Sequence, residues 1–121
     1  MSELTFYAHP KCSTCEGARA WLGENGLAFV EKDIRTAPPS LAEMRAMLKG
    51  QGGEVRRLCN TSGIEYRAQG LSAKLPTLTE AAALSLLAGN GMLIKRPFLI
   101  GPRVALVGFK EPAWREALLK A

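Results

Sequence analysis

The stretch HPKCSTCEGARAWL, His9 to Leu22, sets two cysteines three positions apart where an apolar run gives way to a helical pattern. Upstream, Leu4-Thr5-Phe6-Tyr7-Ala8 is β-prone and is ended by Pro10. Downstream, Ala18, Trp21 and Leu22 recur at helical spacing, which predicts a helix over Ser13 to Glu24 that Gly26 stops. A second β-prone run, Leu27 to Ile34, alternates in its later half and reads as another strand. The opening third is therefore a βαβ unit with the cysteines in its first loop.

Beyond Pro38-Pro39 the pattern becomes helical. Ser40 and Glu43 form a capping box ahead of the stripe Leu41, Met44 and Leu48, and Gly50 ends that helix. Val55 to Leu58 reads as a short helix broken at Asn60-Thr61-Ser62-Gly63, and Thr77 with Glu80 offers a second capping box for a helix running through Leu84 and Leu87 to Gly89. Strands return at Phe98-Leu99-Ile100 and Val104 to Val107, joined tightly through Gly101-Pro102-Arg103 as antiparallel partners, and Pro112 suits the first turn of a closing helix carrying Trp114. The order βαβ, helical insertion, ββα predicts an α/β fold with a mixed sheet flanked by helices, in one domain spanning 1–121.

Composition narrows the function. With 47% hydrophobic and 22% charged residues, the 121-residue chain can bury a core without disulfide staples. The most apolar stretch, TEAAALSLLAG, is too short to span a bilayer, and no basic segment followed by an apolar one opens the sequence. A cytoplasmic location is expected. The net charge of +5 is spread along helical segments without basic blocks, so specific nucleic-acid readout is not expected.

In a reducing compartment, thiols serve metal binding or redox chemistry more often than structural bridges. Zinc needs four soft ligands, and beyond Cys12 and Cys15 only Cys59 and His9 are left, so no metal site is expected. Two buried, inert thiols are the competing structural reading. A C-x-x-C that follows the first strand of a βαβ unit favours a thioredoxin-like redox site, because the helix amino terminus presents free N–H groups and partial positive charge to a thiolate at Cys12. Cys15, one turn on, lies on the same side and can attack a mixed disulfide there.

Four segments in order, HPKCSTC, RRLCNTSGIEYRAQGL (Arg56 to Leu71), GMLIKRPFLI (Gly91 to Ile100) and VGF (Val107 to Phe109), resemble the ArsC/Spx family of thioredoxin-like proteins. The resemblance covers nearly the whole chain. It implies a thioredoxin-like fold with a helical insertion, and two kinds of activity: glutaredoxin-coupled arsenate reduction, or redox-sensing transcriptional regulation through RNA polymerase. It implies Cys12 as the nucleophile, Arg96 as an oxyanion-binding arginine, and a cis proline at Pro97 facing the cysteine. The guanidinium is a planar donor fork that keeps its charge when partly buried.

The departures are specific. Where reductases of this family carry a second arginine, this chain has Asn60; Arg56 and Arg57 lie nearby as substitutes, and Arg103 is the candidate for a third anion-binding arginine. The histidine usually four residues before the cysteine is replaced by Ala8, with His9 three before it. Cys15 resembles the regulator branch, whereas NTSG and MLIKRP resemble reductase-like relatives. The expectation is a monomeric thiol-dependent, arsenate reductase-like oxidoreductase with Cys12, Cys15 and Arg96 catalytic and Arg57, Asn60, Pro97 and Arg103 lining the substrate site. It would bind no cofactor, take glutathione/glutaredoxin or thioredoxin as reductant, and act on a small oxyanion or a disulfide. A regulator that binds RNA polymerase is the alternative.

Overall fold

The architecture is that of a computed structural model describing residues 3–119. Strand β1 (Thr5–Ala8) leads through helix α1 (Ser13–Glu24) to β2 (Val30–Asp33). Helix α2 (Leu41–Gly50), a 3-10 turn at Val55–Leu58, the short helices α3 (Ile64–Ala68) and α4 (Leu71–Lys74), and helix α5 (Glu80–Ala88) form the insertion. Strands β3 (Phe98–Gly101) and β4 (Val104–Val107) and helix α6 (Glu111–Leu119) complete the described fold. The sheet order is β2-β1-β3-β4, with β1 parallel to β2 and antiparallel to β3, and β3 antiparallel to β4. This is the expected mixed α/β sheet.

Alternation along the strands divides the core in two. Phe6, Ala8 and Leu99 pack with Cys15, Ala18, Trp21 and Leu22 of α1 and Trp114 of α6. Tyr7, Phe98 and Ile100 point the other way, onto Met44, Met47 and Leu48 of α2 and Leu84 and Leu87 of α5. The capping box of α2 also ties the helix to the sheet: Glu43 Oε1 accepts from the Ser40 backbone N–H at 2.9 Å and from the Tyr7 hydroxyl at 2.7 Å.

Two local expectations are corrected. Pairing in β2 starts at Val30, where Thr5↔Val30 opens the register, so Leu27 to Phe29 lie outside the strand although Leu27 and Phe29 still pack on the core. The cap of α5 is Thr79, whose hydroxyl accepts from the Ala82 N–H at 3.1 Å. Thr77 instead ends the 3-10 turn started by Leu75-Pro76 and donates its hydroxyl to the Lys74 carbonyl.

Candidate active site

Cys12 is the N-cap of α1, with extended backbone (φ −102°, ψ 112°), and its Sγ accepts the backbone N–H of Cys15 at 3.2 Å. A turn positions it: the Cys12 N–H donates to the His9 carbonyl at 3.2 Å, and the Lys11 N–H donates to His9 Nδ1 at 3.0 Å. A sulfur at a helix start takes one of the orphan N–H donors there, as a serine or aspartate cap does. Cys12 is half-buried, Cys15 and Cys59 are buried, and all three are free thiols.

The two thiols are unequal. Cys15 is 0% exposed, and burial, followed by the hydrogen bond its side chain makes to Cys12, pushes its pKa up to about 12 against the backbone of His9 and the charge of Arg96. It rests as a neutral thiol aimed at Cys12. Burial likewise raises Cys59 to about 11; its S–H points at the Val55 carbonyl, 3.4 Å away, inside the core of the insertion. Cys59 is thus a packing residue.

Arg96 and Pro97 enter the site along the sheet. Tyr7 pairs with Phe98, so the residues just beyond, Ala8 and Pro97, continue side by side toward the cysteine loop, and the Arg96-Pro97 peptide is cis. The Pro97 carbonyl accepts from the Gly108 N–H at 2.9 Å, tying this corner to the end of β4. The charge of Arg96 acts on both Cys15 and His9. Its one hydrogen-bond contact among the described residues is with Met92 Sδ, at 3.9 Å from Nη1.

The surroundings of His9 disfavour an imidazolium there. Desolvation first, then Arg96 and Arg35, push its pKa below the usual histidine value, and its Nδ1 is committed to the loop backbone. Arg35, at the end of β2, is held by Asp33 at 2.7 Å, which keeps the Asp33 carboxyl down at about 2.

The other candidate anion ligands separate. Asn60 lies in the loop beside Arg96: its N–H donates to the Leu93 carbonyl at 2.8 Å, and its amide folds back against Gly63. Arg57 pairs with Glu54 at 3.2 Å and lines a cavity at the β4 edge with Gln51, Lys95 and Lys110. Arg103 sits in the β3–β4 turn. Since Thr5, not Ala8, faces Ile100, that turn is at the end of the sheet opposite the cysteines, a strand length of roughly 10 Å further on. The structure gathers Cys12, Cys15, Arg96, Pro97 and the Asn60 loop, and leaves Arg57 and Arg103 elsewhere.

Two neighbours of the site were not anticipated from sequence. Ile64, first residue of α3, is 86% exposed, and Met92 lies under Arg96; together with Ser62, Gly63 and Glu65 they form a groove of 450 Å³ that Arg96 also lines. Ile64 follows the NTSG turn directly, and an apolar residue at a helix start with no stripe to join was the available signal. Among the described residues no group of three His, Cys, Asp or Glu side chains could hold a metal ion, and no helix is long and apolar enough to cross a membrane.

A dithiol at the start of the first helix, with a cis proline ahead of the strand next to β1 in a mixed sheet, is the arrangement of thioredoxin-like proteins, and residues 7–117 match the ArsC family. The chain belongs to the ArsC family. It is 43% identical to the uncharacterized protein YusI of Bacillus subtilis, over 93% of this chain and 96% of that one. It is 32% identical to the global transcriptional regulator Spx of Enterococcus faecalis, over 95% of this chain and 86% of Spx. Among solved structures, an ArsC family related protein from Bacteroides fragilis superposes with a TM-score of 0.88 at 40% identity, covering 95% and 97% of the two chains. A possible arsenate reductase from Streptococcus mutans gives 0.84 at 41% identity, covering 91% and 93%.

Proposed function

We propose that the protein is a thiol-dependent oxidoreductase in which Cys12 is the nucleophile and Cys15 the resolving thiol. The observation that carries this is the contact within one helical turn of an accessible sulfur at the N-cap and a buried thiol aimed at it. Cys12 thiolate attacks an oxidised centre and joins it covalently, expelling a thiolate from a disulfide or water from an oxyanion. Cys15 then gives up its proton and attacks Cys12 Sγ. The bound group leaves with the electron pair of the broken bond, as a second thiolate or as the reduced oxyanion, and the Cys12–Cys15 disulfide remains. Once Cys12 is in a mixed disulfide, its hydrogen bond and charge no longer hold the Cys15 proton, which favours the second step. A dithiol reductant such as glutaredoxin or thioredoxin, or glutathione, returns the pair to the thiol state.

Arg96 supplies positive charge beside the reacting sulfur, and Pro97, with no N–H, forms the opposite wall. Arsenate as substrate is tested by following NADPH loss with glutathione, glutaredoxin and glutathione reductase, comparing the parent with Cys12→Ser. Cys12-dependent turnover is the expected result; turnover equal in the two proteins, or absent with both arsenate and disulfides, overturns the enzyme reading.

A second reading has its own support in the likeness to Spx over 95% of the chain. In it the same disulfide changes a surface recognised by RNA polymerase. Co-purification with RNA polymerase that depends on the redox state of Cys12, without turnover, would select it.

A further inference from the structure

The groove lined by Ile64, Met92, Gly63 and Arg96 is not needed to bind an oxyanion, and its chemistry is wrong for one. Its walls are mainly hydrocarbon and thioether. Two guanidiniums act on Cys15, those of Arg19 and Arg96, and Arg19 is held by Glu31 through two hydrogen bonds of 2.7 Å. Of the candidate anion ligands only Arg96 reaches the dithiol, since Asn60 carries no charge, Arg57 is engaged by Glu54 at the β4 edge, and Arg103 lies at the other end of the sheet. A tetrahedral dianion is poorly matched by a single available arginine, whereas an apolar trough that shares this arginine with the dithiol suits a chain that carries the attacked sulfur.

Ile64 sharpens this. A fully apolar side chain at 86% exposure, in a groove that Arg96 also lines, loses free energy to water that only a partner can recover. Its place is fixed: Gly63 is the N-cap of α3, and the close approach of Asn60 to Gly63 locks the turn that presents it. Met92, unbranched and polarizable, can adjust to different side chains. Glu65, the one acid in the groove, accepts from Asn90 Nδ2 at 2.8 Å and keeps its negative charge, while Arg96 supplies the groove's positive charge and also acts on Cys15. Arg96 suits a backbone carbonyl or an acidic side chain of the incoming segment.

We infer that the substrate class is a protein disulfide or mixed disulfide: an extended polypeptide segment whose cysteine is presented to Cys12 while an apolar side chain one or two residues away occupies the groove over Ile64 and Met92. This rests on the thiol chemistry proposed above and names its substrate. In the exchange, the Cys12 thiolate forms a bond to the segment's cysteine sulfur, and the other sulfur of that disulfide leaves as a thiolate with the bonding pair. An extended chain advances about 3.3–3.6 Å per residue, so neighbours of the attacked cysteine reach past Arg96 into the groove.

The test uses full-length Cys15→Ser protein, so that one exchange at Cys12 is read without resolution. Two peptides, identical except for Leu or Gly on either side of one cysteine, are each presented as the mixed disulfide with thionitrobenzoate, whose release is followed by absorbance. The Leu peptide is expected to react about five- to tenfold faster. Ile64→Ser, an exposed position where folding is not at stake, is expected to bring the ratio close to one, and Ile64→Leu to keep it. Equal rates for the two peptides, or a preference that survives Ile64→Ser, overturns the inference. The outcome is separable from the enzyme reading: a Leu preference without steady-state turnover upholds the groove and rejects the enzyme, and turnover without preference does the opposite.

Discussion

The backbone N–H of Cys15 donates to Cys12 Sγ at 3.2 Å, while the Cys15 side chain is itself completely shielded from solvent. One helical turn thus holds a sulfur that a substrate can reach and a sulfur that only the first can reach. The proposed division of labour between nucleophile and resolving thiol rests on that geometry: both share the field of the same helix terminus, and burial distinguishes them.

The first consequence is selective alkylation. Cys12 is half-buried, whereas Cys15 and Cys59 are buried and their pKa values stand at about 12 and about 11. Brief treatment of the reduced protein with iodoacetamide at neutral pH should modify Cys12 at least about tenfold faster than either other cysteine, because the thiolate is the reactive form. Peptide mapping by mass spectrometry reads the ratio. Faster labelling of Cys59 would mean that the accessible thiol has been misassigned.

Stability should fall with alkaline pH, and the sign follows from the same two thiols. Their ordinary pKa is 9.0, and folding raises Cys15 to about 12 and Cys59 to about 11. Between these values the unfolded chain has released protons that the folded chain still holds, so unfolding becomes easier as pH rises. The contribution is complete below about pH 9 and is lost on the way to pH 11 and 12. Thermal midpoints of reduced protein between pH 8 and pH 11 should drop, and Cys59→Ala should flatten part of that drop. Midpoints independent of pH over this range would contradict the burial of both thiols.

Replacing Cys15 by Ser should separate attack from resolution. Cys12 keeps the N-cap position and the backbone N–H of residue 15, so a first exchange with glutathione disulfide proceeds, but no second thiol lies within reach to release the adduct. Intact mass should show one glutathione per chain, lost in Cys12→Ser, and steady-state disulfide reduction should fall by roughly a hundredfold. Undiminished turnover would assign the resolving role to the external reductant.

Much of this site was legible because its signals are local. The C-x-x-C at a strand-to-helix junction, the capping box of Ser40 and Glu43, and the tight turn before Val104 each depend on residues a few positions apart. What was not legible depends on pairing across the fold. Arg103 was a reasonable anion ligand until the antiparallel register of β1 and β3 carried it away from the cysteines. The groove exists because Asn60 bonds to Leu93 and Cys59 bridges to Ile94, which brings the NTSG turn beside Arg96 from more than 30 positions away in sequence (96 minus 60). The shift of the α5 cap from Thr77 to Thr79 has a local cause: Pro76 lies in a 3-10 turn, and Thr77 is used up in closing it.

Gly91 supplies a stability test of that same junction. A Cβ placed there would overlap the carbonyl of Ile34, a rigid backbone group at the end of β2, so the clash cannot be relieved by a rotamer change. Gly91→Ala should therefore destabilise the fold by about 1–3 kcal/mol, the usual range for overpacking, in contrast to Gly23→Ala, which meets nothing within 4 Å. Urea midpoints of the two variants, at equal m-value, make the comparison. Equal midpoints would show that the turn at Gly91–Leu93 does not approach β2 as closely as described.

Arg96 offers the sharpest electrostatic test. Its guanidinium acts on both Cys15 and His9, its one hydrogen-bond contact among the described residues is with the Met92 sulfur, and no carboxylate there forms an ion pair with it. Its charge is therefore available to an incoming anionic group and to the sulfur that gains charge during exchange. Arg96→Gln removes that charge while keeping a hydrogen-bonding side chain of moderate length. The rate of Cys12 exchange should fall by about tenfold for glutathione disulfide, whose carboxylates are drawn to the guanidinium, and by clearly less for neutral hydroxyethyl disulfide. Arg96→Lys should recover part of the loss, since it restores the charge without the planar fork. Raising ionic strength should narrow the gap between the two disulfides in the parent and leave Arg96→Gln nearly unaffected, because screening acts only where the charge is present. A uniform loss for both disulfides, unchanged by salt, would mean that Arg96 shapes the cysteine loop and takes no part in attracting substrate.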